Sequence, residues 1–93
     1  MRLALDSLVV LDAIGRHGSF AAAAEALHRV PSAVTYAVQK LEEDLGVAIF
    51  DRSGHRAQLT EAGHELLREG RRLLVAAGEL EARVKRVATG FEV

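Results

Sequence analysis

The chain has no cysteine, which excludes a disulfide framework and a thiolate zinc site and suits a reducing compartment. It has no stretch apolar enough to span a bilayer. Its start, Met1-Arg2-Leu3-Ala4-Leu5-Asp6, lacks the long apolar run of a signal peptide. A soluble cytoplasmic protein with no membrane partner is therefore expected. The chain also lacks a strong charge of either sign, with a formal net charge of -1. Catalytic fingerprints are missing too. There is no G-x-G-x-x-G, no P-loop and no G-x-S-x-G. His64-Glu65-Leu66-Leu67-Arg68 begins like a zinc-protease motif but places arginine where the second histidine must stand. His17, His28 and His55 are scattered, and Ser53 near His55 has no acid to orient the imidazole. No enzyme activity, no metal and no cofactor is expected.

What remains is a pattern of helices. Ninety-three residues, 49% of them apolar, make one globular domain with a modest core. Leu8, Leu11 and Ile14 recur on one face of a first helix, about Leu5 to Arg16. Ser19 is a good N-cap for a second helix whose inner stripe is Phe20, Ala23, Ala24 and Leu27. A tight break at His28-Arg29-Val30 precedes the only proline, Pro31, which fits the first turn of a third helix running to Gly46. Two short helices joined in this way form a helix-turn-helix over about residues 20–39, and the main use of that unit is to lay its second helix in the DNA major groove.

In the third helix Val34, Val38, Leu41 and Leu45 make one buried stripe. Ser32, Thr35, Tyr36 and Gln39 are left facing out or flanking, a set suited to base edges and phosphates. A merely solvated helix face has the same spacing, and the lesser alternative for Tyr36 is packing against the turn near Arg29. After Gly46 the period changes to two. Val47 to Asp51 reads as a strand, Ser53-Gly54-His55 as a turn and Arg56 to Leu59 as the return strand. This hairpin, over residues 48–59, is a wing whose Arg52, His55 and Arg56 could reach the DNA backbone or minor groove. Either arginine could instead pair with Asp51 or Glu43.

Thr60 caps a last helix, with Glu61 at its positive end, expected to run to about Thr89. Leu59, Leu66, Leu73, Leu80 and Val87 fall at seven-residue intervals, with Gly63, Gly70, Ala77 and Val84 as a companion row. That heptad points to a homodimer with Leu59, Leu66, Leu73, Leu80, Val84 and Val87 at its seam. The alternative is a helix packed only on its own domain.

Read in order, Gly18-Ser19-Phe20, Ala23-Ala24, Ala26-Leu27-His28, Ser32-Ala33-Val34-Thr35, Lys40-Leu41-Glu42-Glu43, Leu45-Gly46-Val47, Ile49-Phe50-Asp51-Arg52 and Leu59-Thr60-Glu61-Ala62-Gly63 carry a specific resemblance. Residues 5–90 resemble the N-terminal DNA-binding region of LysR-type transcriptional regulators. The resemblance implies a mainly α winged helix-turn-helix domain over residues 4–61, with three helices and a two-stranded wing. It also implies a linker helix over 60–90 that pairs antiparallel between two subunits, and a bacterial regulator of transcription. The residues expected to bind DNA are Ser19, Arg29, Pro31, Ser32, Ala33, Thr35, Tyr36, Gln39, Lys40, Arg52, His55 and Arg56, of which Ser32, Ala33, Thr35 and Gln39 keep the family's character. Two positions depart from the family pattern: Pro31 stands where many members have glutamine, and Tyr36 where many have arginine. Family members continue into a larger effector-sensing domain that assembles tetramers, so this chain is expected to be a fragment ending near the hinge at Gly90-Phe91-Glu92-Val93. A helix-turn-helix serving only to bind protein is the competing reading.

Overall fold

The computed structural model describes residues 2–90; Phe91, Glu92 and Val93, where the hinge is expected to begin, lie outside the described residues. Four helices and a two-stranded hairpin follow one another as α1 (Leu5–His17), α2 (Phe20–Ala26), α3 (Pro31–Leu45), β1 (Phe50–Asp51), β2 (Gln58–Leu59) and α4 (Glu61–Thr89). The winged helix-turn-helix with a long final helix is the expected fold. Leu8, Val10, Leu11 and Ile14 of α1 meet Ala23 and Ala24 of α2 and Val34, Ala37, Val38 and Leu41 of α3, and Ile49 and Phe50 close the base. Alanines at the α2 contact let the helices approach closely, so a short helix seats firmly with little side-chain bulk.

The local signals act where they were read. Ser19 Oγ accepts from the Ala22 amide at 3.0 Å, and Thr60 Oγ1 accepts from Gly63 at 3.0 Å. The turn between α2 and α3 is a Schellman motif: the Arg29 amide donates to Ala24 O at 2.9 Å and the His28 amide to Glu25 O at 3.1 Å. His28 holds the left-handed position of that motif, at φ 55°, where glycine is usual.

Three expectations need correction. The strands are only Phe50–Asp51 and Gln58–Leu59, paired antiparallel as Phe50↔Leu59 and Asp51↔Gln58. Residues 47–49 lie outside β1: the Ile49 amide goes to Glu42 Oε2 at 2.8 Å, and only its carbonyl reaches across, accepting from the Thr60 amide at 3.0 Å. Leu45 is 42% exposed, since it closes α3 beyond the three-helix core. The heptad row also divides. Leu59 lies in β2 before α4 begins, and both it and Leu66 pack half-buried against the chain's own core. In the companion row Gly63 and Gly70 are buried because Ile49 and Leu8 stand over them. Leu73, Leu80, Val84 and Val87 stay exposed.

Long-range ion pairs fix the helices on one another. Asp12 on α1 accepts from Arg71 Nε of α4 at 2.7 Å and from Arg16 Nε at 2.9 Å. Burial pushes the Asp12 carboxyl up, but the hydrogen bonds from Arg71 and Arg16 outweigh it and hold its pKa below the ordinary value. A depressed carboxylate stabilises the fold above its unfolded value of about 3.9, and that contribution is lost as pH falls through the folded value. Acid titration of thermal stability should therefore show a decline below about pH 4, and Asp12→Asn should remove part of it. An unchanged profile in the variant would remove Asp12 from the acid response.

Candidate nucleic-acid interface

With Val34, Val38 and Leu41 fully buried, α3 presents its opposite side. Ser32, Tyr36 and Gln39 are exposed along one strip, and Ala33, Thr35 and Lys40 flank it half-buried. Positions four and three apart stack on one helix face, so the strip follows from the period of the buried stripe. Glu43 continues it at the C-terminal end. Its negative charge makes the first half of α3, with Pro31 and Ser32 exposed at its tip, the end suited to phosphates.

The positive residues divide into two groups. On one side Arg29 is forked onto Asp6, Nη2 to Oδ1 at 2.7 Å and Nη1 to Oδ2 at 3.0 Å. That hydrogen bond lowers the Asp6 pKa and raises that of Arg29. Arg29 was expected to bind DNA, yet here its planar fork clamps the turn to the start of α1. Lys40 pairs with Asp44 at 3.4 Å. Arg29, Ala33, Tyr36 and Lys40 line one shallow hollow together with Asp6. Tyr36 itself is 65% exposed, which argues against packing on the turn.

On the other side lies the wing. Phe20 and Phe50 meet edge to face with centroids 5.0 Å apart, and Arg52 Cζ sits 5.6 Å over the Phe20 ring. The ring face attracts the guanidinium and orients it without consuming its charge. Neither arginine takes the alternative pairing. Asp51 instead accepts from Ser53 Oγ at 2.7 Å and from its amide at 2.9 Å, which lowers the Asp51 pKa and shapes the turn. Arg56 and His55 are exposed. Ser19 and Arg56 line one cavity of about 390 Å³ with Phe20, Phe50 and Gln58, so the start of α2 and the wing share a surface. The pairings Asp6–Arg29 and Asp12–Arg71 and the Glu42 contact to the amides of Ile49 and Phe50, which hold this arrangement, have no helical spacing to signal them.

The comparisons match this geometry. The family described as bacterial regulatory helix-turn-helix protein, lysR family, matches residues 5–64. The chain belongs to that family. It is 56% identical over 90 residues to the probable HTH-type transcriptional regulator YhaJ of Escherichia coli K12, covering 97% of this chain and 30% of that protein. It therefore spans less than a third of the length of that curated relative. Among solved structures, the CbnR DNA-binding domain in complex with DNA is 37% identical with a TM-score of 0.84, over 92% of this chain and 99% of that one. The BenM domain bound to catB site 1 DNA is 27% identical with a TM-score of 0.87, over 95% of each chain. The named relatives are regulators of transcription, as expected for a chain without a catalytic constellation. In place of the protease motif's second histidine, Arg68 pairs with Glu65. Among the described residues no helix is long and apolar enough to cross a membrane.

Proposed function

We propose that this chain is the operator-reading part of a bacterial transcription regulator, binding double-stranded DNA as a dimer. The observation that carries the reading is the exposed strip Ser32–Tyr36–Gln39 on a helix whose other face is fully buried. A rigid core holding a polar strip outward is what major-groove insertion requires, and relatives of the same fold have been solved on DNA. Arg52, Arg56 and His55 take the backbone or minor groove beside it. Arg29 positions the turn, and Lys40 flanks the strip. Ser19, Pro31, Ala33 and Thr35 complete the contact surface.

Dimerisation rests on α4. A 29-residue helix is about 43 Å long, and residues 78–90 are exposed all round. An isolated segment of that length is marginal in water. Leu73, Leu80, Val84 and Val87 continue one apolar strip, joined by Leu3 and Leu5 beside Leu73, Ala76, Ala77 and Leu80. A second copy covers that strip, and two modules offset the weak attraction of a chain with net charge -1. Control by a small-molecule effector, tetramer assembly and a cytoplasmic setting belong to the whole regulator.

Selection of bound sequences from a random DNA library at moderate salt tests the reading. Enrichment of a two-fold symmetric site supports it, and no enrichment with no binding at low salt contradicts it. On the selected site, Arg56→Ala should weaken all sequences about equally and flatten the salt slope by about one unit. A changed base preference would instead make Arg56 a groove reader.

A further inference from the structure

The exposed strip of α3 has an unusual inventory. It carries hydroxyls at Ser32 and Thr35, an amide at Gln39, a methyl at Ala33 and the ring of Tyr36, but no arginine. Arg29, the nearest one, holds Asp6 through both branches of its fork. Lys40 is paired with Asp44 and half-buried. The usual guanine reader is an arginine or lysine reaching O6 and N7, and beside this face Arg29 and Lys40 would each have to give up an acid to do so. Tyr36 is the only tyrosine in the chain. It is 65% exposed and makes no hydrogen bond or ring contact among the described residues. An aromatic ring held in water at the centre of a recognition strip loses nothing internal when it meets a ligand.

We propose that Tyr36 is the main specificity determinant of the DNA contact, packing its ring on the C5 methyl of a thymine, so that the base pair it faces is A·T. The proposal rests on the DNA-binding reading above. The thymine methyl is the one apolar group that the major groove offers, and a ring face fits it as no hydroxyl can. Gln39 lies three residues on, about 4.5 Å along the axis, close to the ~3.4 Å rise of one base pair. Its amide can grip adenine N6 and N7 at the neighbouring pair. The strip thus reads adjacent A·T pairs with one apolar and one polar contact.

The test compares wild type with Tyr36→Phe, Tyr36→Ala and Tyr36→Arg, first by selection from a random library. Replacing the facing thymine by deoxyuridine in the selected site then removes only the methyl. Wild type and Tyr36→Phe should each lose affinity about fourfold, the worth of one buried methyl-sized group. Tyr36→Ala should lose that sensitivity and its preference there, and Tyr36→Arg should move the one position toward guanine. Because Tyr36 is exposed, these variants should melt as wild type does. Unchanged preference and deoxyuridine sensitivity in Tyr36→Ala would overturn the proposal while leaving DNA binding intact. Absence of any enriched sequence for wild type would remove the DNA reading itself, and the proposal with it.

Discussion

Gly63→Ala should destabilise the fold by at least about 1–3 kcal/mol. A Cβ at position 63 would stand 2.2 Å from the Ile49 carbonyl oxygen, 3.2 Å from its carbon and 2.9 Å from Leu59 Cδ2. The oxygen is a backbone atom already engaged by the Thr60 amide at 3.0 Å, so no rotamer change can clear it. Thr60 Oγ1 also donates to Ala48 O at 2.7 Å. The first turn of α4 would have to lift away from the root of the wing, breaking that junction. Gly70→Ala is the milder case: its Cβ meets Leu8 Cδ2 at 3.0 Å, and that side-chain tip, although buried, need give only a few tenths of an ångström. There a gain in helix propensity of about 1 kcal/mol offsets the crowding. In a domain of this size each kcal/mol is worth about 4–8 °C. Thermal unfolding should therefore separate the two variants clearly, and equal melting temperatures would refute the close approach at Gly63.

The second large effect concerns assembly. Leu80 is 62% exposed in the single chain, so Leu80→Glu should leave the protomer folded. In the proposed dimer it would bury two like charges at the seam, each costing several kcal/mol. Sedimentation at micromolar concentration should show monomers. Loss of the linked second module should lower affinity for a two-half-site DNA by about 10²–10⁴-fold. Leu73→Glu should act in the same direction, but Leu73 is 44% exposed against 62% for Leu80, so more of its effect would fall on the protomer. A Leu80→Glu protein that remains dimeric would place the seam elsewhere.

Much of the architecture was legible in the sequence because it rests on local chemistry. Ser19, Pro31 and Thr60 mark helix starts through interactions spanning three or four residues, and the stripe at Val34, Val38 and Leu41 fixes which side of α3 turns outward. The contacts that position the site are of another kind. Arg29 finds Asp6 and Arg71 finds Asp12 across 23 and 59 residues, so neither pairing has a spacing to read. Glu42, one of three acids at the end of α3, takes amides seven and eight residues on, at the entry to β1. Gly63 shows the limit of periodicity most clearly. A seven-residue repeat identifies a helix stripe but not the neighbour that covers it, and here the first half of the stripe is covered by the chain's own wing and α1. Only the half beyond Leu73 is left for a partner.

Replacing adenine by 7-deazaadenine across a selected site asks whether α3 lies in the major groove. That change deletes N7, an acceptor displayed only in the major groove, and leaves the minor groove and the phosphates intact. With α3 in the groove, binding should fall at two short clusters of adenines related by two-fold symmetry and separated by whole helical turns. Full affinity for DNA substituted at every adenine, with competition by a minor-groove ligand instead, would contradict it.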